Sequence, residues 1–341
     1  MIVNKYPDRK INVNKDTYLY FGGTHYLGIQ NNSTFISILN SNLIKWGTSY
    51  GSSRNANIKL AIYNTFETYF AKFLNFESSV SISSGTLASF LVKDFFKTKK
   101  IKSFHLNNSH ASIIFNDSSP AFINGTLNPI LLSNKEEDII ITSDAILALQ
   151  TKATNFDFLH TIHPSKKITL LIDESHSLGV LGKNGCGISS EINHPIVKRK
   201  IFVSSLSKSY GISGGIIASD KNFIDKIKNS DLFIGAAGVN PAYLQSIIDA
   251  KEVYQEQLIR LKSNLNYFYR HLNNHTVNYS LNYPVCYYSE KLKSKLLENK
   301  IITTSFIYGN NTINRIILNA NHTKKDLDDL LKVLNTKKRL L

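Results

Sequence analysis

Cysteine is scarce in this sequence: Cys186 and Cys286 are the two in 341 residues. Two thiols cannot build a disulfide framework, and these lack the short spacing of a metal-ligand pair. No run of about 18 uncharged apolar residues occurs, so no transmembrane helix and no membrane partner are expected. The opening stretch, Met1-Ile2-Val3-Asn4-Lys5-Tyr6-Pro7, has no apolar signal core. Export is therefore not expected, and a soluble cytoplasmic protein is the expectation. Internal repeats and low-complexity linkers are missing too. Acidic residues are in deficit, with 25 Asp+Glu against 40 Lys+Arg and a formal net charge of +15. A basic chain can serve nucleic acid. Here, however, the lysines are spread along the chain beside Asn and Ile, with no zinc-finger or RNA-recognition signature. The densest runs, Lys97 to Lys102 and Lys337-Lys338-Arg339, read as solvated helix ends. No nucleic-acid partner is expected; an acidic or phosphorylated small molecule suits the charge equally well.

What is present is ample apolar material, 42% of the residues, enough for a large core. At about 150 residues per domain the length suggests two domains. Short apolar runs alternate with helical stretches, the pattern of an α/β fold with a mainly parallel sheet. Val80-Ser81-Ile82-Ser83, then Ser84-Gly85-Thr86, then Leu87 to Phe96 reads as strand, turn and amphipathic helix. Asp138 to Ser143 and Ile168 to Asp173 are nearly continuous apolar runs, as strands covered on both faces require. Lys200 to Leu206 and Gly215 to Ser219 predict two more strands. Pro241 to Leu272 predicts one long helix, because Leu244, Ile247, Ile248, Val253, Leu258, Leu261, Leu265 and Phe268 recur at threes and fours. A strand at Pro284 to Tyr288, a basic helix at Glu290 to Asn299, a strand at Arg315 to Asn319 and a closing helix at Lys324 to Leu334 follow. The expected division is an N-terminal segment 1–45, a large domain 46–240 and a small α+β domain 241–341.

Two segments carry chemistry. In Leu170-Leu171-Ile172-Asp173-Glu174-Ser175-His176-Ser177-Leu178-Gly179 an apolar strand ends in carboxylates and an imidazole. Ligands in open α/β sheets bind beyond the carboxyl ends of strands, where Asp173 and His176 would lie. An Asp at a strand end also serves as a simple helix cap, and for Asp173 alone the two readings stand level. The second segment is Ser204-Ser205-Leu206-Ser207-Lys208-Ser209-Tyr210-Gly211, again after an apolar strand. A lysine there is ordinarily a surface residue. Lys208, however, follows hydroxyl-bearing residues and stands 35 residues beyond a strand-end Asp. That is the layout of a pyridoxal phosphate (PLP) site, where a Lys forms the Schiff base and an Asp faces the pyridinium nitrogen. A carboxylate held against that nitrogen favours its protonated form.

Further motifs fall in order along most of the chain: Tyr26-Leu27-Gly28; Gly51-Ser52-Ser53-Arg54 with Phe66-Glu67 and Phe70-Ala71; Ser84-Gly85; Ser109-His110-Ala111-Ser112; and Arg315-Ile316-Ile317-Leu318-Asn319-Ala320-Asn321-His322. Together with the Asp173 and Lys208 segments they resemble the α-oxoamine synthase family of fold-type I PLP-dependent enzymes. The resemblance implies a PLP-dependent transferase fold: a mainly parallel central sheet with helices on both faces and a smaller C-terminal α+β domain. It implies that Lys208 carries the cofactor and then serves as general base, its pKa lowered for that task. Asp173 would hold the ring nitrogen, His176 would bond the phenolic oxygen, and His110 would stack on the ring. Gly85 and Thr86, opening a helix, suit the phosphate, and Ser205 could add a hydroxyl to it. Arg315 would grip the amino-acid carboxylate, and His25 stands on the substrate side. The implied partners are an amino acid and an acyl thioester, of coenzyme A or an acyl carrier protein, with a second copy of the chain completing a homodimer.

The chain departs from the family pattern in several places. His25 stands where the family has Asn, and Ile58 and Tyr63 replace Gly and His. Ser143 to Thr151 replaces a Glu-bearing strand and turn, leaving Asp144 as a shorter acid. Ala236-Ala237-Gly238 replaces a hydroxyl pair, and the stretch around 275–312 is short. The expected activity is condensation of a small amino acid with an acyl thioester, decarboxylative in the family's manner. Competing readings are another PLP reaction, transamination or aldol cleavage, and a PLP-fold binding protein with weakened catalysis.

Overall fold

The computed structural model describes residues 1–99, 101–273 and 275–335; Lys100 and the Lys337-Lys338-Arg339 run lie outside the described residues. The chain opens with a hairpin, β1 (Lys10–Val13) and β2 (Asp16–Phe21), then α1 (Ser33–Trp46), capped by Asn32, and α2 (Ala61–Leu74). Strand β3 (Ser78–Ile82) leads into α3 (Gly85–Lys97), whose first turn is closed by the Ser84 side chain accepting from Leu87 N. The next segment holds β4 (Lys102–His105), β5 (Ser119–Pro120), the small hairpin β6 (Phe122–Ile123) and β7 (Thr126–Leu127), and α4 (Pro129–Leu132). Then come β8 (Glu137–Asp144), β9 (Lys166–Asp173), β10 (Val197–Ser205), β11 (Gly215–Ser219), α5 (Lys221–Lys228) and α6 (Asp231–Gly235). The rest comprises α7 (Pro241–Asp249), α8 (Lys251–His271), β12 (Val277–Asn278), β13 (Val285–Tyr288), α9 (Glu290–Glu298), β14 (Ile301–Tyr308), β15 (Asn311–Ile317) and α10 (Lys324–Asn335).

Seven strands form the central sheet in the order β3-β11-β10-β9-β8-β4-β5. All its pairings are parallel except those of β11, which runs antiparallel to both neighbours. Its strands are buried on both faces, which explains their continuous apolar runs. Ile201 and Val203 pack with the α3 and α5 side chains Leu91, Val92, Phe223 and Ile224. Phe202, between them, points into the other layer with Phe66 and Phe70 of α2. The fold is thus the α/β architecture expected, a mainly parallel sheet covered on both faces.

Two expectations are revised. The long helix at 241–272 is two helices bent at Ala250 (φ −98°, ψ 19°). The apolar period runs on across the bend, but the packing partners change: α7 lies against α1 and α2, α8 against α10. The Arg315 strand begins earlier, at Asn311, and is half of a hairpin with β14, turned at Gly309 (φ 58°). Strand β14 escaped notice because Thr303, Thr304 and Ser305 break its apolar run and most of its residues are part-exposed. At the N-terminus, β1 and β2 join the six-stranded sheet β1-β2-β14-β15-β13-β12, with β2 parallel to β14.

Candidate active site

The carboxyl ends of the central strands meet the second sheet at a cavity of about 810 Å³. In-register pairing puts Asp144, the last residue of β8, beside Asp173, the last of β9. Strand β10 ends alongside at Ser205 and leads to Lys208, and α3 begins at Gly85 across from them. Asp173, His176, Ser205, Lys208, Gly85, Thr86, His110 and Arg315 all line this one cavity. His25 does not. It is buried between the rings of Tyr6 and Tyr20, 5.8 and 6.3 Å away, while its neighbours Thr24 and Tyr26 reach the cavity wall. The expectation of a cavity-facing His25 is thereby corrected: the turn after β2 presents the residues on either side of it.

The turn after β9 is locked from within. Glu174 is fully buried, and its carboxylate accepts from Ile188 N (3.0 Å) and Ser189 N (2.6 Å) and from the hydroxyls of Ser177 and Ser189. Glu174 is thus a structural anchor, which leaves Asp173 and His176 to face the cavity. Asp173 does act as a local cap, its Oδ1 accepting from Ser175 N at 2.8 Å, and it lines the cavity as well. Both readings of that residue hold.

The helix α3 terminus approaches β10 closely because residue 85 is glycine. A Cβ there would fall 2.8 Å from the Cα, Cβ and N of Ser205. Gly215 is required in the same way, since its Cβ would collide with the Ser84 carbonyl. The result is a cradle with the first N–H groups of α3 on one side and Ser205 and Ser207, their hydroxyls 2.7 Å apart, on the other. Free helix-terminal N–H groups and the helix dipole suit a phosphate.

Charge in the cavity is arranged in opposed pairs. Burial pushes the Lys208 ammonium toward its neutral form, and the carboxylates of Asp173 and Asp144 counter this. Burial, then the adjacent Asp173 charge, raise the Asp144 carboxyl to about 8, against the pull of the His110 backbone N–H and Lys208. That N–H lies 3.1 Å from both Asp144 oxygens, so Asp144 holds the His110 loop in place. His176 is kept neutral by burial and by the positive charges of Lys208, Arg315 and His110. Arg315, on β15, pairs in register with Tyr287 of β13 and has the Phe306 ring centroid 4.9 Å from its guanidinium carbon. Its Nε is buried without a partner among the described residues, and the side chain lines the cavity. A guanidinium on a cavity wall is a ready contact for a carboxylate.

Sequence reasoning passed over Asp144 as a site residue, although a signal existed. Both apolar runs end on Asp, and parallel in-register strands bring such ends together. Tyr26 and Tyr283 were also missed as cavity residues, since nothing local marks two buried tyrosines 257 positions apart. Taken together, the cavity offers an amine, a carboxylate partner, an anion cradle and a guanidinium. That set fits a phosphorylated, cationic ring with an aldehyde, beside a substrate bearing a carboxylate.

Comparison with known proteins agrees in fold and extent. Residues 151–334 match the family described as aminotransferase class I and II. The 8-amino-7-oxononanoate synthase of Buchnera aphidicola subsp. Baizongia pistaciae (strain Bp) is 24% identical over 354 residues, covering 97% of this chain and 91% of the relative. The crystal structure of 8-amino-7-oxononanoate synthase from Francisella tularensis superposes with a TM-score of 0.71 at 25% identity, over 93% of this chain and 96% of that one. A serine palmitoyltransferase of S. paucimobilis with a bound PLP–myriocin aldimine gives 0.82 at 16% identity, over 98% and 90%, a likeness of fold. Among the described residues no helix is long and apolar enough to cross a membrane.

Proposed function

The chain belongs to the aminotransferase class I and II family, and from that premise we propose that it is a PLP-dependent acyltransferase of the α-oxoamine synthase type. It would condense a small amino acid with an acyl thioester, with loss of the amino acid's carboxylate as CO2. The observation that carries this reading is the convergence of Lys208, Asp173, His110, His176 and Arg315 on one cavity beside the α3 cradle. The likeness to 8-amino-7-oxononanoate synthases over nearly the whole chain favours acyl transfer over transamination or aldol cleavage.

When bound, PLP supplies an aldehyde and a protonated ring that draws electrons from the substrate's Cα. Lys208 Nζ is the amine for that aldehyde, and with its ammonium form disfavoured by burial it is also the base for a Cα proton. Asp173 would hold the ring nitrogen's proton, and His110 would cover the ring. The N–H groups of Gly85 and Thr86 with the Ser205 hydroxyl would hold the phosphate. Arg315 would orient the amino acid through its carboxylate, and Phe306 steadies the guanidinium. Ala237 brings no hydroxyl to a phosphate, so the α3 cradle bears more of that load.

A cytoplasmic homodimer belongs to the same proposal. Ile58, Leu232 and Ile234 are exposed on neighbouring segments joined by the Ser53 hydroxyl bond to the Ile234 carbonyl, an apolar area suited to a second copy. The acyl donor is a thioester of coenzyme A or of an acidic carrier protein, which the net positive charge would attract. The test is mass spectrometry of products, with release of free thiol, after incubation with panels of amino acids and acyl thioesters. Amino-group transfer to a keto acid without thiol release would overturn the assignment.

A further inference from the structure

Tyr26 follows β2 in the N-terminal segment and is 0% exposed, with its hydroxyl 2.8 Å from His176 Nδ1. Tyr283, just ahead of β13, packs beside it, the two ring centroids 6.3 Å apart. All three side chains line the cavity. They come from three distant parts of the chain, so the contact forms only on folding.

The proton positions follow from counting. Burial holds both phenols protonated, Tyr26 pushed up to about 12 and Tyr283 well above its ordinary value. Burial and the nearby Lys208, Arg315 and His110 charges keep the imidazole neutral, so it carries one N–H. The Tyr26 hydroxyl is buried, and His176 Nδ1 is the one hydrogen-bond partner it has among the described residues, so its proton is directed at Nδ1; that nitrogen is then the bare one, and the imidazole proton sits on Nε2.

We propose that Tyr26 is a positioning residue that fixes His176 as the Nε2–H tautomer, so that the imidazole presents a donor to an oxygen bound in the cavity. That this oxygen is the phenolic oxygen of PLP rests on the function proposed above; the tautomer itself does not. Without the Tyr26 proton the neutral ring is free to place its hydrogen on either nitrogen, and the cavity would meet a lone pair part of the time.

The experiment is ¹⁵N NMR of histidine-labelled apoprotein, with the His176 signals assigned from their loss in His176→Gln. Wild type should show a strongly biased Nε2–H pattern. In Tyr26→Phe, which keeps the ring and its packing, the two nitrogen shifts should move toward averaged values, whereas Tyr283→Phe should leave them in place. In the PLP-loaded protein, loss of a fixed donor should raise the pH midpoint of the visible absorbance change by about half a unit to one unit in Tyr26→Phe. An Nδ1–H pattern in wild type, or an unchanged Nε2–H pattern in Tyr26→Phe, overturns the proposal. A protein that binds no PLP yet shows the expected tautomer shift would sink the functional assignment and leave the role of Tyr26 standing.

Discussion

Replacing Gly85 by Ala sets two effects of opposite sign against each other. An alanine restricts the unfolded chain, a gain of about 0.4–1 kcal/mol where the native backbone tolerates it. Here the new methyl would lie 2.8 Å from three atoms of Ser205, two of them backbone. Those atoms cannot swing aside, because β10 is paired on both edges, with β9 and β11. Helix α3 has to retreat, and overpacking of this kind costs about 1–3 kcal/mol. The steric term is the larger over nearly all of that range, leaving a net loss of about 0–2.6 kcal/mol, centred near 1. The same retreat draws the α3 N–H groups away from Ser205 and widens the cradle, so PLP affinity should fall about tenfold for each 1.4 kcal/mol of phosphate binding lost. Gly235 is the control, since a Cβ there meets nothing within 4 Å. Gly235→Ala should leave PLP affinity unchanged and stability equal or slightly higher. Urea midpoints of the apoproteins and absorbance titration with PLP measure the two quantities. A Gly85→Ala protein that unfolds at the wild-type urea concentration and binds PLP as tightly would show that the close approach of α3 to β10 does not shape the cradle.

The remaining predictions concern charge. Lys208→Ala should abolish the visible absorbance that PLP gives with wild type; equal colour in the two proteins would count against Lys208 as the cofactor amine. Arg315→Gln should weaken amino-acid binding about 10- to 100-fold, from loss of a charge-assisted hydrogen bond of about 1.5–3 kcal/mol, and a spectral titration with amino acid decides it. The Asp144 carboxyl, raised from 3.8 to about 8, keeps in the folded protein a proton that the unfolded chain releases. Its contribution therefore makes stability fall as pH rises from about 4 to 8, and Asp144→Asn should flatten that part of the melting-temperature profile. Parallel profiles for the two proteins across that window would refute the assignment.

The central sheet was legible because its strands are buried on both faces: runs such as Ile168 to Asp173 and Asp138 to Ser143 have no solvent side to interrupt them. The chemistry at their ends was legible for a related reason, since Asp173, His176 and Lys208 sit on turns within a few residues of a strand terminus. Strand β14 and the bend at Ala250 were not legible. The first is mostly part-exposed, with Thr303, Thr304 and Ser305 breaking its apolar run, and the second reflects a change of packing partner, which leaves no mark in the local period. His25 misled for a similar reason, because local order does not say which residue of a turn faces inward.

By itself, then, the sequence determined the alternation of strands and helices and the amine, carboxylate and imidazole that close them. These depend on neighbours a few positions apart, and side-chain period and turn chemistry are local properties. Only the tertiary structure decided that Asp144 stands beside Asp173, that Arg315 lines the cavity, and that Tyr26 and Tyr283 meet beside His176. Such contacts join residues up to 257 positions apart, and they arise from strand register and sheet packing, which belong to the folded chain as a whole.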